Sequence, residues 1–188
     1  LERWLDLDLS AKAAAGELSR AHCRDALVDR LSDLLDLKRN LVLTGEAGVG
    51  KTALVHELAA RAHEGRGPTC FEGKRVLQLS LARGASTLKK PKQVGSAFRQ
   101  LLKDLVDRDD LVLFLSDFDR VYRHDLESQL QAFCYAFRGR ILGEGKPGTV
   151  RTILEWFPRL GRKFTTIPVE EPTGERVSSI LAAWAEAQ

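Results

Sequence analysis

Methionine is absent from this chain and Leu1 stands first, so it is expected to be a piece of a longer protein. Cysteine is scarce: Cys23, Cys70 and Cys134 are odd in number and form no C-x-x-C pair. That argues against a disulfide framework and for a reduced, cytoplasmic setting. Apolar runs are short, none approaching the ~20 residues of a membrane-spanning helix, and the start lacks a secretory pattern. A soluble chain with no membrane partner is expected. The histidines, His22, His56, His63 and His124, lack ligand spacing, and none is read as a metal ligand. An excess of one charge is lacking as well. With 29 basic and 26 acidic side chains the net charge is +3, too mild to argue by itself for nucleic acid. No internal repeat or low-complexity tract occurs.

What the chain does have is concentrated between Asn40 and Leu54, N-L-V-L-T-G-E-A-G-V-G-K-T-A-L. Leu41-Val42-Leu43 reads as a buried strand, Gly45-Glu46-Ala47-Gly48-Val49-Gly50-Lys51-Thr52 follows, and helix formers begin at Ala53. Strand, G-x-x-x-x-G-K-T and helix, in that order, make a P-loop in its confirming context. The glycines let backbone N–H groups curl round a phosphate, and the helix start adds its partly positive end. Lys51 supplies a point charge for the β- and γ-phosphates, and the Thr52 hydroxyl can ligate magnesium. Gly45 to Ala53 is therefore the candidate nucleotide site, with ATP and Mg2+ as expected ligands. A ligand-free glycine-rich turn is the competing reading. With Gly at about 7% of residues it needs a coincidence found in well under ~1% of chains this long.

Residues 1–23 read as an arm packed across the body, with a short helix as the alternative, and residues 24–188 as one domain. From Arg24 to Leu37, Leu27, Val28, Leu31, Leu34 and Leu35 recur at helical spacing. The helix after the P-loop runs to about His63, where Gly65-Arg66-Gly67-Pro68 ends it. A strand is expected from Arg75 to Leu81, then a loop holding Gly84 and the basic run Lys89-Lys90-Pro91-Lys92. Val94, Phe98, Leu101, Leu102 and Leu105 stripe the next helix. Leu111-Val112-Leu113-Phe114-Leu115 is apolar without alternation, as in a strand covered on both faces. It opens into Ser116-Asp117-Phe118-Asp119. Leu126, Leu130, Phe133, Cys134 and Phe137 line one side of a further helix, which assigns Cys134 to the core. A fourth strand at Arg140 to Leu142 meets a turn-rich break, Gly143 to Gly148. A helix at Val150 to Phe157, a fifth strand from Lys163 to Val169 and a last helix carrying Val177, Ile180, Leu181 and Trp184 complete the chain. Strands alternating with helices require right-handed crossovers, so a three-layer α/β/α fold with a five-stranded parallel sheet is predicted.

With these elements in place the chain resembles the first ATPase module, large subdomain, of the Clp-type AAA+ unfoldases, the ClpA, ClpB and ClpC group. The likeness covers nearly all 188 residues. L-E-R-W-L-D-L-D-L-S-A-K-A-A-A-G-E-L looks like the family's linker into its ring. Cys23-Arg24-Asp25 stands where the family has G-R-D near the adenine, and G-E-A-G-V-G-K-T is a full family P-loop. Phe71 to Asp104 is similar to the stretch holding the family's second strand and pore loop. Arg162-Lys163-Phe164 matches the R-R-F of its arginine finger, and Val169-Glu170-Glu171-Pro172-Thr173 its V-D-E-P-T. The family's helical lid is expected after Gln188. The resemblance implies self-association into a ring, a protein substrate or partner, magnesium on Thr52 and Asp117, and catalytic roles for Asp117 (orienting water) and Arg162 (acting in trans).

Three motifs depart from the family pattern. Walker B, F-I-D-E in the family, is Phe114-Leu115-Ser116-Asp117, so the magnesium-side acid is Ser116 and the catalytic glutamate is Asp117. Loss of a charge-assisted contact costs roughly 1.5–3 kcal/mol, and a base displaced by roughly 1 Å about a hundredfold in rate. The sensor threonines correspond to Gly145 and Lys146, and the substrate-gripping aromatic of the pore loop to Lys90. ATP binding is expected to survive and hydrolysis to suffer. The expectation is an ATP-binding module of a Clp-type remodelling machine, or alternatively a hydrolysis-deficient scaffold or assembly switch. A small P-loop kinase lacks the arginine-rich lid it needs, and nucleic-acid remodelling through Lys89, Lys90 and Lys92 rests on a run that is more often a solvated loop.

Overall fold

The computed structural model describes residues 1–88 and 90–171, and beyond these only positions 174, 177, 178, 180, 182 and 185. The expected last helix falls at that end, with Leu181 and Trp184, like Pro172, Thr173 and Lys89, outside the described residues. The apolar runs become the strands β2 (Asn40–Thr44), β3 (Arg75–Leu79), β4 (Leu111–Leu115), β5 (Arg140–Gly145) and β6 (Phe164–Pro168), all parallel to one another. A sixth strand, β1 (Leu5–Asp8), pairs antiparallel with β3, and the order across the sheet is β1-β3-β4-β5-β2-β6. The expectation of five parallel strands is thus corrected by one antiparallel edge strand. Its signal was the L-D-L-D-L alternation at residues 5–9, a period-two pattern.

Side chains of each strand alternate between two cores, one per face of the sheet. Leu41, Leu43, Val112, Phe114 and Leu142 pack against α1 (Leu9–Ala14), α2 (Asp25–Asp36) and α3 (Lys51–His63). Val42, Leu111, Leu113, Leu115 and Ile141 face α5 (Pro91–Leu105), α7 (Glu127–Ala136) and α8 (Pro147–Trp156) with the short turns α4 (Leu81–Ser86), α6 (Arg120–Arg123) and α9 (Pro158–Gly161). Those are the three layers predicted. Cys134 is buried in the second core, and burial pushes its thiol up to about 12. No helix among the described residues is long and apolar enough to cross a membrane.

Two local expectations change. The strand after the P-loop helix stops at Leu79, because Ser80 caps a helix, its Oγ accepting from Arg83 N at 3.1 Å, so Gly84 lies in α4 rather than in a loop. At the other end, Gly143-Glu144-Gly145 is strand rather than turn. Backbone pairing with Val42, Leu43 and Thr44 of β2 holds it extended.

Charge ties the N-terminal residues to the P-loop helix. Glu57 on α3, 5% exposed, accepts from Arg20 at 2.6 and 3.0 Å and from Arg61 at 2.9 Å. Arg61 also donates to Asp29 at 2.8 Å and pairs with Asp25 of α2. Burial alone would raise the Glu57 carboxyl, but the bonds from Arg20 and Arg61 outweigh it and hold it at about 2. Unfolding returns the group to about 4.5. Its contribution is therefore present above that pH and lost as pH falls toward 2. Glu57→Gln is expected to cost about 3 kcal/mol at pH 7 and to flatten the acid limb of the stability curve. Acid titration followed by circular dichroism checks this, and superimposable curves for the two proteins would refute it.

Candidate functional site

Chain reversal sets the place. β2 lies between β5 and β6 while β3 lies beyond β4, so the connection leaving β2 crosses over two strands and opens a crevice at the strands' carboxyl ends. Ligands of open α/β sheets gather at such points. A cavity of about 880 Å³ sits there, lined by Gly45, Ala47, Gly48, Gly50, Lys51, Thr52 and Ala53. Two predicted residues of the loop stand apart from its lining. Val49 is buried in the core under the loop, and Glu46 is exposed, contributing its backbone carbonyl to Lys51.

Gly50 ends the loop with φ +93°, and Gly48 has φ +88°, both in the left-handed region. An L side chain there carries a steric cost, and the turn aims the first amides of α3 into the cavity. The Lys51 ammonium donates to the carbonyls of Gly45 at 2.9 Å and Glu46 at 2.7 Å, which keeps the charge within the loop. Thr52 Oγ1 donates into the carboxylate of Glu144, with Oε1 at 2.8 Å and Oε2 at 3.0 Å.

Glu144 was not singled out by sequence reasoning. It lies on β5 one residue before the Gly145-Lys146 pair and is only 8% exposed. Burial pushes its carboxyl up to about 7; Thr52 and Lys51 oppose the rise, and Asp117 and Asp119 add to it. A single acid following Ile141, Leu142 and Gly143 was the available signal, hidden by reading Gly143 to Gly148 as a turn.

Asp117 lines the same cavity, but its carboxylate is engaged elsewhere. Oδ1 accepts from Leu81 N at 2.7 Å, and Oδ2 from Ala82 N at 2.7 Å and Ser80 Oγ at 3.0 Å, while Arg120 lies 3.6 Å away. Those bonds cap the first turn of α4. Ser116 Oγ donates to Leu79 O at 3.3 Å, so its hydroxyl is drawn to β3. Arg162 follows α9, is exposed, and does not line the cavity. The loop, Thr52 and Asp117 are thus brought together and Arg162 is not.

The rim carries Lys51, Arg120, Arg123 and Lys146 against Asp117, Asp119 and Glu144, with Tyr122 beside them. Sequence reasoning had named neither Arg120, Tyr122 nor Arg123. His56 also lines the cavity, with Nε2 3.0 Å from Gln78 Oε1. Among the described residues no group of three or more His, Cys, Asp or Glu is placed to hold a metal alone. A divalent ion here would take its remaining ligands from water or phosphate oxygens. Thr52 and Glu144 fit such an ion, since together they offer the hard oxygen donors that magnesium takes in small number beside substrate phosphates.

Residues 20–138 match the family described as the AAA ATPase domain. The chain is 29% identical over 185 residues to the chaperone protein ClpB of Propionibacterium freudenreichii, and 31% identical over 182 residues to ClpB 2 of Parasynechococcus marenigrum. It is 27% identical over 183 residues to the chloroplastic ClpC1 of Oryza sativa. Each match covers 93% of this chain, and the chain spans about a fifth of those relatives' length. Among solved structures, the Saccharomyces cerevisiae Hsp104–ADP complex matches with a TM-score of 0.81 at 24% identity, over 94% of this chain and 26% of that one. The extended Hsp104–casein complex matches with a TM-score of 0.80 at 24% identity, over 97% and 32%.

Proposed function

This chain belongs to the AAA ATPase domain family, and on that premise we propose that it is the ATP-binding module of a Clp-type protein-remodelling machine, slow in hydrolysis. One observation carries the reading: Gly45, Ala47, Gly48 and Gly50 of the loop, with Lys51 and Thr52, line one cavity at the sheet's carboxyl edge. Among the described residues the hydrogen bonds of Lys51 go to neutral carbonyls, and a phosphate oxygen offers it a stronger, charge-assisted bond. Magnesium bound beside Thr52 would supply charge neutralisation at the β- and γ-phosphates.

Slow turnover is supported by Asp117, whose oxygens are occupied by the α4 cap and are poorly disposed to orient water. The same observation favours the second reading, a hydrolysis-deficient scaffold whose bound ATP supports assembly. In either case Arg162, exposed after α9, acts on a neighbouring subunit's nucleotide in a ring, a protein is the substrate or partner, and the setting is cytoplasmic.

Titration calorimetry with ATP and Mg2+ is expected to give saturable heat. Absence of heat, together with no displacement of a fluorescent ATP analogue, overturns the proposal. Phosphate release is expected well below the ~1–1,000 s⁻¹ of ordinary enzymes. Turnover within that range would refute the slow-hydrolysis part.

A further inference from the structure

We infer that Glu144 is the magnesium-side carboxylate of this nucleotide site, delivered from β5 where the end of β4 carries none free to serve. The inference rests on the nucleotide-binding reading above and assigns one further residue to it. The oxygen-bearing side chains at the ends of β4 and β5 differ in what already holds them. Ser116 offers a hydroxyl turned to Leu79 O, and both oxygens of Asp117 accept from the first turn of α4. Glu144 stands on the strand between β4 and β2 and meets Thr52, the residue through which a P-loop engages its metal.

The way Glu144 is bonded decides between a structural and a metal-binding role. Among the described residues both hydrogen bonds of its side chain come from the Thr52 hydroxyl, and a hydroxyl has one proton. One oxygen of a carboxylate more than nine-tenths buried is thereby left without a donor. A buried carboxylate is expensive unless paired, hydrogen-bonded or bound to a metal. A structural glutamate whose task was to hold the Thr52 hydroxyl has no need of its second oxygen or its charge. A glutamate beside a dication uses both.

The test separates metal affinity from nucleotide affinity in the purified protein. ATP affinity is measured by calorimetry with excess Mg2+ and again with EDTA, for the unaltered protein and for Glu144→Gln, which keeps shape and removes charge. The unaltered protein is expected to bind ATP at least tenfold tighter with Mg2+ than without. In Glu144→Gln that gain should shrink to within about twofold while metal-free affinity stays equal or rises. A second readout is Mn2+ binding in the presence of ADP, followed by the free-ion electron paramagnetic resonance signal, where the variant is expected to leave most of the ion free. Thermal melts check that both proteins are folded. An undiminished Mg2+ gain or undiminished Mn2+ uptake in folded Glu144→Gln overturns this inference and leaves nucleotide binding standing. Failure of the unaltered protein to bind ATP under either condition overturns both.

Discussion

Lys51→Ala is expected to weaken ATP binding by about a hundredfold or more while leaving the fold in place. Among the described residues its hydrogen bonds run to the carbonyls of Gly45 and Glu46, within the loop itself. Little long-range structure is lost with it. Toward ATP the same group makes charge-assisted contacts of about 1.5–3 kcal/mol each, and two of these exceed the ~2.8 kcal/mol that a hundredfold represents. Lys51→Arg is not a neutral control, because a planar fork does not reproduce a compact point charge. Competition binding with a fluorescent ATP analogue, beside a thermal melt, checks the prediction. Wild-type affinity in a folded Lys51→Ala protein would remove the nucleotide site from the molecule.

The second large effect concerns the edge strand. Trp4, 3% exposed, sits edge-on to Phe98 with ring centroids 5.5 Å apart, and its carbonyl accepts from Ser80 N at 2.9 Å. Its indole lies directly over Gly84 of α4, where an added Cβ would come within 1.8 Å of Cε3. Trp4→Ala is expected to cost about 3–5 kcal/mol through lost burial and the remaining cavity. For a domain of this size that lowers the melting temperature by about 10 °C. Gly84→Ala should cost about 3 kcal/mol by forcing the ring out of place. The two costs cannot add, because removing the indole opens the space that the new methyl needs. The double variant is therefore expected to melt above the additive value by a coupling of about 1–3 kcal/mol, read from denaturant titrations of all four proteins. Strict additivity would show that the ring does not lie on Gly84 in solution.

Legibility in the sequence varied with distance along the chain. β4 was readable to the residue because a strand covered on both faces is uniformly apolar, and Leu111–Leu115 is such a run. The helix after the P-loop was equally clear, from the glycines before Lys51 to the Gly-Pro stretch after His63. β1 was passed over although its alternation was visible, since four residues at an edge gain their order from β3 and not from themselves. The extension of β5 through Gly145 could not be read locally at all. Glycines normally punctuate a chain, and pairing with β2, joined at Gly143 by β4, keeps these two extended.

Sequence by itself determined the phosphate loop, the alternation of strands and helices and hence the layered fold, because each depends on residues a few positions apart whose geometry is fixed by backbone sterics and helical or strand periodicity. The tertiary structure alone decided how the acids divide their work. Asp117 is drawn to α4 by amides 36 and 35 positions away, and Glu144 reaches Thr52 across 92. Such meetings depend on which strands lie side by side, and strand order is set by the packing of the whole sheet rather than by any stretch of it.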